Sequence, residues 1–514
     1  MRKLGKVLSL VLAASCAASI FTGCGSKKEN GDKKVVSWWY CGNGIQEDTK
    51  KVQDKINEMI KSKDGLENVE IELKPSVSEQ YANDVSLAMA SGKQMDILNT
   101  FRLKFSELVR DGILVDIDEY VNDMPELKKV LPEWLWEMGQ IDGKTYMVPN
   151  YQRATNMNFY ITPKKYADAY GDFDNLRKTL GNSESGLQGI ADEIEKYLLN
   201  VRTNFGATKY TASIANMYAS NLAIGDFHDI LADNFVVYKG TNKVVHKNLT
   251  DKMKEAYDIS AKWFEKGYIP EDSLTQASSD TYSANKMLND VSVIASTNNQ
   301  IGDEQTVSEA FSKRLGFDCY ALPIKNKYYV SNSWAAGGHG ITVGCKYPKE
   351  AMRFLELMFT EEGKDVYNTV VYGIEGVHYE KTGDDTIKTF EYDATQGGVS
   401  TKYAAMKWCM GNAFNAYDNQ GCVKNEKQLS KALNESKDNV VSDLMGFYPD
   451  VTKIKNELAQ IKAVDEEYGS TLYSGIKKSE WKTVYAEYEK KLKAAGLEKV
   501  LSELQGQLDE FNKK

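Results

Sequence analysis

Between Val35 and Leu98 the hydrophobic residues switch repeatedly between two spacings, and that switching restricts the possible folds more than any other feature of the chain. Val35 to Trp39 is a near-continuous apolar run closed by Cys41-Gly42-Asn43-Gly44, which predicts a buried strand and a turn. Val52, Ile56, Met59 and Ile60 then recur at helical spacing. Val69, Ile71 and Leu73 alternate with Glu70 and Glu72, the signature of a strand with one wet face. A second helix carries Tyr81, Val85 and Met89, stops at Ser91-Gly92, and leads to a short strand at Met95 to Leu98. Strands separated by helices of this length cannot pair as hairpins. They predict an α/β fold with a parallel sheet and helices on both faces.

Further on, Gly143 to Pro149 reads as another strand, after an aromatic segment with Trp134 and Trp136. Helical patterns follow near 189–200 and 251–266, and Ser292 to Ser296 is a short apolar strand. Ala335 to Gly344 is rich in glycine, which suits a strand edge or close packing, and it precedes a helix that Pro348 starts. It lacks the Lys-Ser/Thr ending of a phosphate-binding loop. From about Asp450, charged residues interleave with leucines and aromatics, predicting helices packed on a lobe.

The amino end makes a separate statement. Arg2, Lys3 and Lys6 precede an apolar stretch from Val7 to Phe21, the anatomy of an export signal. Phe21-Thr22-Gly23-Cys24 resembles a bacterial lipobox, with Phe where Leu is usual, so Cys24 is the expected lipidation site. Residues 1–23 are then the signal peptide. Residues 24–34 carry the lipidated Cys and a flexible tether, since Gly25 to Lys34 contains no apolar side chain. Two acyl chains hold a protein durably on a membrane, which places the body on the extracellular face of the cytoplasmic membrane.

Charge and composition exclude several classes. The formal charge of -9 becomes more negative once the three basic residues of the signal are removed, so no nucleic-acid partner is expected. About 490 residues remain, more than one core ordinarily holds, so two or more lobes are expected. Five cysteines outside the signal and lipid site form no regular framework; a Cys409–Cys422 bridge is one possibility and buried thiols the other. Four histidines without metal-ligand spacing, and no G-x-S-x-G, argue against a metal site, a cofactor or a hydrolase triad. A glycosidase needs only two carboxylates, so a secreted glycoside hydrolase stays open as an alternative, as does a lipoprotein binding peptide or polymer without an importer. Thirty Tyr and eight Trp against 17 Phe favour rings with a polar edge, which suit a half-wet, polar ligand.

Taken together, the lipobox and tether, VVSWWYCGNG, LAMASGKQMDIL, YPKEAMRFLELMFTEEGKDVYN, GIEGVHY and the helical end through YEKKLKAAGLEKVLSELQGQLDEF resemble an extracellular solute-binding lipoprotein of a bacterial carbohydrate ABC importer. The likeness is to the family 1 type, in its larger Gram-positive subtype with a C-terminal domain of unknown function. It implies a two-lobed fold of the periplasmic-binding-protein kind, with a ligand cleft between lobes joined by hinge crossings and a helical C-terminal extension. It also implies a sugar or oligosaccharide ligand, ABC permease subunits as partners, a monomer, and no catalysis.

On this reading lobe 1 comprises 35–150 plus 300–370, and lobe 2 comprises 151–299 plus 371–514. Ligands in open α/β sheets bind beyond the strand ends, where loops carry no ladder bonds. Trp39, Tyr40 and Asn43 follow the first strand, and Thr100 and Phe101 the third. The resemblance places Tyr151, and Asn298 with Asn299, at lobe crossings. Trp334 beside the glycine-rich run, Glu375 in GIEG, and Trp408 with Asn412 complete the expected ligand set; the competing reading is an exposed loop carboxylate for Glu375 and core packing or a turn role for the others.

Overall fold

The computed structural model describes residues 33–154, 157–182, 185–206, 227–238, 240–269, 293–324, 328–330, 337–390, 392–393, 399–400, 402–419, 425–436 and 439–513. The signal, Cys24, most of the tether, Trp334 and Cys422 lie outside them.

The chain first lays down β1 (Lys34–Gly42), α1 (Thr49–Ile60), β2 (Val69–Val77), α2 (Tyr81–Ala90) and β3 (Ile97–Asn99), as the alternating periods predict. After several short helices, β4 (Val148–Pro149) ends the first pass. The chain crosses over and forms β5 (Met157–Pro163), α3 (Phe173–Leu180) and α4 (Gly186–Phe205), then the meander β6 (Phe227–Ala232), β7 (Phe235–Tyr238) and β8 (Val244–His246). Next come α5 (Asp251–Glu265), β9 (Ala295–Gln300), α6 (Glu304–Leu315), β10 (Cys319–Ile324) and β11 (Tyr328–Val330). The return pass holds β12 (Gly338–Ile341), α7 (Pro348–Phe359) and α8 (Lys364–Tyr372). Finally β13 (Asn439–Val441) leads to α9 (Lys455–Ser474), α10 (Trp481–Ala494) and α11 (Leu497–Phe511).

The first sheet has the order β2-β1-β3-β12-β4. β1 is parallel to β2 and β3, whereas β12 runs antiparallel to both β3 and β4. The C-terminal ends of β1 to β4 and the start of β12 therefore share one edge. Val36, Trp38 and Tyr40 point to the face covered by α1, α7 and α8; Trp39 and Cys41 point to the α2 face. Both faces are dry, so this strand buries both adjacent tryptophans instead of turning one outward.

β12 fits its central place because it is nearly all glycine on its packed side. A Cβ at Gly338 would lie 2.4 Å from the Val148 carbonyl oxygen, and one at Gly340 would lie 2.7 Å from a Leu114 methyl. The close-packing role expected of this run is the one observed.

The second lobe centres on the antiparallel sheet β9-β5-β10. Helices α3, α4 and α5 pack one face and α6 the other. Residues 304–324 thus belong to this lobe, not to the first as the sequence boundaries had it, because β10 pairs with β5 along its whole length. Conversely Tyr379, Ile387, Tyr403, Cys409, Met410 and Tyr417 pack into the first lobe's core, so 371–417 leaves the second lobe. Cys409 is a buried free thiol.

The carboxyl-terminal helices build a third core with β6–β8 and α5. Buried Asp465 of α9 ties it together by accepting hydrogen bonds from Asn234 (2.6 Å), His246 Nε2 (3.3 Å) and the Tyr488 hydroxyl. The segment leading into α9 faces both ways. Leu444 and Phe447 enter the helical core, while Met445 joins the first lobe and the Tyr448 hydroxyl donates to the Met138 carbonyl at 2.7 Å.

Candidate functional site

Strand ends at the shared edge of the first sheet carry the residues that gather into one surface. Asn99, fully buried at the end of β3, accepts from the Phe101 backbone N–H at 3.3 Å and donates through Nδ2 to the Cys409 carbonyl at 3.1 Å. That pair of bonds brings the segment carrying Trp408 against the end of β3. Trp408 then meets Phe101 edge to face, with centroids 4.9 Å apart, and keeps 38% of its surface open.

Two strands along, Tyr151 follows β4. Its backbone N–H donates to Gly411 at 2.9 Å and its carbonyl accepts from Ala413 at 2.8 Å, which sets its ring 4.8 Å from Phe414. Buried Asn412 orients Phe414 by accepting from its N–H at 3.0 Å, while Nδ2 donates to the Phe359 carbonyl. Gly411 has φ +53°, and a Cβ there would sit 2.4 Å from the Met358 carbonyl oxygen, so only glycine lets this segment lie so close.

Between the two ring pairs lies Gly337, at φ +60°, which accepts from the Asn150 N–H at 3.1 Å. A Cβ on it would approach the Phe101 nitrogen and the Thr100 hydroxyl to 2.6 Å. Phe101 and Tyr151 therefore stand two strand spacings apart, about 10 Å, over a floor with no side chain. Beyond Phe101 the edge continues over β1 to Ser78, where the Arg102 Nε reaches the hydroxyl at 3.4 Å. The whole row crosses five strands, about 19 Å.

Of the expected residues, Phe101, Tyr151 and Trp408 come together here. Trp39 (8% exposed) and Tyr40 (2%) do not: both are core residues, the Trp39 indole donating to Gln94 O at 3.3 Å. Thr100 and Asn412 are buried and act by positioning the backbone, not by offering a side chain to a ligand. Asn43 is exposed at the end of β1 and donates to the Ala404 carbonyl at 3.0 Å. Glu375 is exposed beside Lys381, on the turn after α8, and makes no contact with the ring pairs. Asn298 and Asn299 do not follow a strand; they lie within β9, where the register to β5 slips between Thr297 and Gln300. The slip sits at the end of β5 that adjoins the crossing from Tyr151. Trp334 falls outside the described residues.

Phe414 and Arg102 were not anticipated. Phe414 lies in an irregular segment with no period to read. Arg102 directly follows an anticipated aromatic, and that adjacency was its available signal.

The electrostatics suit binding more than proton transfer. Burial pushes His339, beneath the floor, down to about 3, so it is neutral at physiological pH. Burial raises the Glu426 carboxyl, but Lys407 at 3.1 Å and Arg153 outweigh it and hold it below its ordinary value. Among the described residues no three His, Cys, Asp or Glu side chains converge to hold a metal. A groove of about 560 Å³ lined by Lys164, Glu304, Ser308, Ser312 and Tyr320 lies elsewhere. It sits at the Pro163–Cys319 end of the second sheet, the full length of β5, about 20 Å, from the crossing.

Residues 55–372 match the bacterial extracellular solute-binding protein family, and residues 443–513 match DUF3502, a domain of unknown function. A carbohydrate ABC transporter substrate-binding protein of Streptococcus pneumoniae is 24% identical over 98% of this chain and 96% of its own length. The crystal structure of the N-glycan transport solute binding protein of the same species superposes with a TM-score of 0.73 at 22% identity, covering 94% of this chain and all of that one. Its complex with Man1GlcNAc gives 0.65. An extracellular solute-binding protein from Bifidobacterium longum subsp. infantis gives 0.63 at 15% identity, covering 93% of this chain and 98% of that one.

Proposed function

The chain belongs to the bacterial extracellular solute-binding protein family, and from that premise we propose that it captures an oligosaccharide between its lobes and delivers it to an ABC permease. The row of Phe101, Trp408, Tyr151 and Phe414 across the first sheet's edge carries this reading. Pyranose rings pair an apolar C–H face with hydroxyl edges, so they favour flat aromatic faces set among polar groups. The ring pairs stand about 10 Å apart, and the edge that carries them runs on to Ser78 for about 19 Å in all, which is long for one sugar ring and suits several. The matched relatives are solute-binding proteins and not enzymes, and the N-glycan transport protein is described in complex with Man1GlcNAc.

Asn298 and Asn299, at the bulge beside the crossing, are the second lobe's proposed contribution, and Trp334 lies in the stretch between β11 and β12 where the chain returns to Gly337. Asn43 and Glu375 serve the outer rim. Hinge closure about the crossings buries the sugar, and the monomer is held at the membrane through Cys24.

Two experiments test this. A thermal-shift screen over an oligosaccharide panel should find a ligand that raises the melting temperature, by about 2.7 kcal/mol of stabilisation at a hundredfold excess over Kd, and scattering should show compaction. No shift with any sugar, or release of reducing ends, would count against it. Replacing Cys24 with Ala should leave folding intact and release the protein from membranes; a membrane-bound mutant would refute the anchor.

A further inference from the structure

Arg102 sits in a conformation that an arginine does not choose. Its φ is +66°, in the left-handed region, where Asn, Asp and Gly are the usual occupants. Three of the four other non-glycine residues at positive φ among the described residues are Asp142, Asp233 and Asn425. Local strain of this kind persists where surrounding structure enforces it, and it concentrates at functional sites.

What the strain achieves is a direction. Leaving β3, the side chain runs across the end of β1 until Nε meets the Ser78 hydroxyl, and its guanidinium lies over the Phe101 ring, 5.0 Å from the centroid. Phe101 is in turn braced by Trp408. The guanidinium is held from behind by an oxygen and from below by a ring, and among the described residues neither terminal nitrogen has a hydrogen-bond partner and no carboxylate lies within ion-pair distance of it. Arg110, Arg177 and Arg353, by contrast, each pair with an aspartate or glutamate. In a chain of net charge -9, an exposed arginine with no ion-pair partner among the described residues, at the edge of an aromatic row, is free to pair with an anion from outside.

We propose that Arg102 is a specificity-determining residue that reads a carboxylate on the bound glycan, so that the preferred ligand is an oligosaccharide carrying an acidic sugar at the β1–β2 end of the row. This rests on the oligosaccharide-binding role proposed above. A guanidinium matches a carboxylate with two parallel N–H···O bonds, and the stacked, pre-positioned fork loses little freedom in forming them.

The test uses matched pairs titrated calorimetrically into the lipid-free full-length body: an oligogalacturonide with its methyl ester, and a sialylated glycan with its desialylated form. In at least one pair the wild type should bind the acid about tenfold more tightly, the scale of one charge-assisted pair. Arg102→Gln should erase that ratio by weakening the acid member of the pair selectively, and Arg102→Lys should restore only part of it. Arg102→Gly should also erase the ratio and melt no lower than wild type, because glycine tolerates this φ; that outcome separates lost recognition from lost folding. Equal affinity for both members of each pair would overturn the proposal. So would an Arg102→Gln variant weakened equally toward acid and neutral forms, which would make Arg102 a prop for Phe101 and leave sugar binding standing. Failure of every glycan to bind would sink the sugar reading itself and this inference with it.

Discussion

Replacing Trp38 with alanine should lower the unfolding free energy by about 3–5 kcal/mol, the cost of emptying a fully buried tryptophan site. Trp38 is 0% exposed and packs edge-on against His339 and Phe354, both at 5.4 Å, with Tyr40 at 5.0 Å. Its neighbours belong to β12 and α7, elements far away in the chain, so a cavity there loosens the return pass against β1. No single collapse can refill it, because β1 is fixed by ladders on both sides. Trp408→Ala is the informative contrast. That ring already keeps 38% of its surface in water, so its removal should change ligand-free stability far less. Denaturant melts of the two variants check the pair of expectations, and equal losses would mean that Trp408 is a core residue too.

The second large effect depends on pH. Asp229 of β6 is 5% exposed, and burial raises its carboxyl to about 6, even though the Ser442 hydroxyl donates to it at 2.6 Å. Its other oxygen has no hydrogen-bond partner among the described residues. The folded protein therefore holds this proton to higher pH than the unfolded chain, whose value is near 3.8. Stability from the protonated form is fully present below the unfolded value and is lost as pH rises through about 6. Two units correspond to a penalty of up to about 3 kcal/mol at neutral pH. Asp229→Asn, which cannot ionise, should melt higher than wild type at pH 7.5 and match it at pH 4. An equal gain at both values, or none at 7.5, would show that ionisation at this position is not what limits stability.

How much of this was legible in the sequence differs by element. β1, α1, β2, α2 and β3 could be read because each is a local pattern with its own period and stop. β12 was recognisable as a close-packing glycine run, but its antiparallel place between β3 and β4 joins residues about 190 to 240 positions apart, which no local period encodes. The same limit moved 304–324 between lobes: α6 and β10 look alike whichever sheet they join. At the site, strand-end logic selected Phe101, which stands at the sheet's edge beside Trp408, yet it also selected Trp39 and Tyr40, because a strand buried on both faces has the same composition as one ending in a cleft. Tyr151 and Trp408 came from the family resemblance and from an aromatic-polar patch, and their convergence rests on backbone bonds at Gly411 and Asn99. Phe414 lies in an irregular stretch whose shape comes from Asn412 and Gly411, so it carried no readable signal.

The central claim is that sugar binds along the aromatic row at the first sheet's edge. Amide hydrogen exchange, with and without an oligosaccharide found by the thermal screen, tests it most directly. New protection at 99–102, 150–153 and 406–414, with none along α6 and β10, is the predicted result. Protection confined to the 304–320 groove, with the row unchanged, would contradict the account.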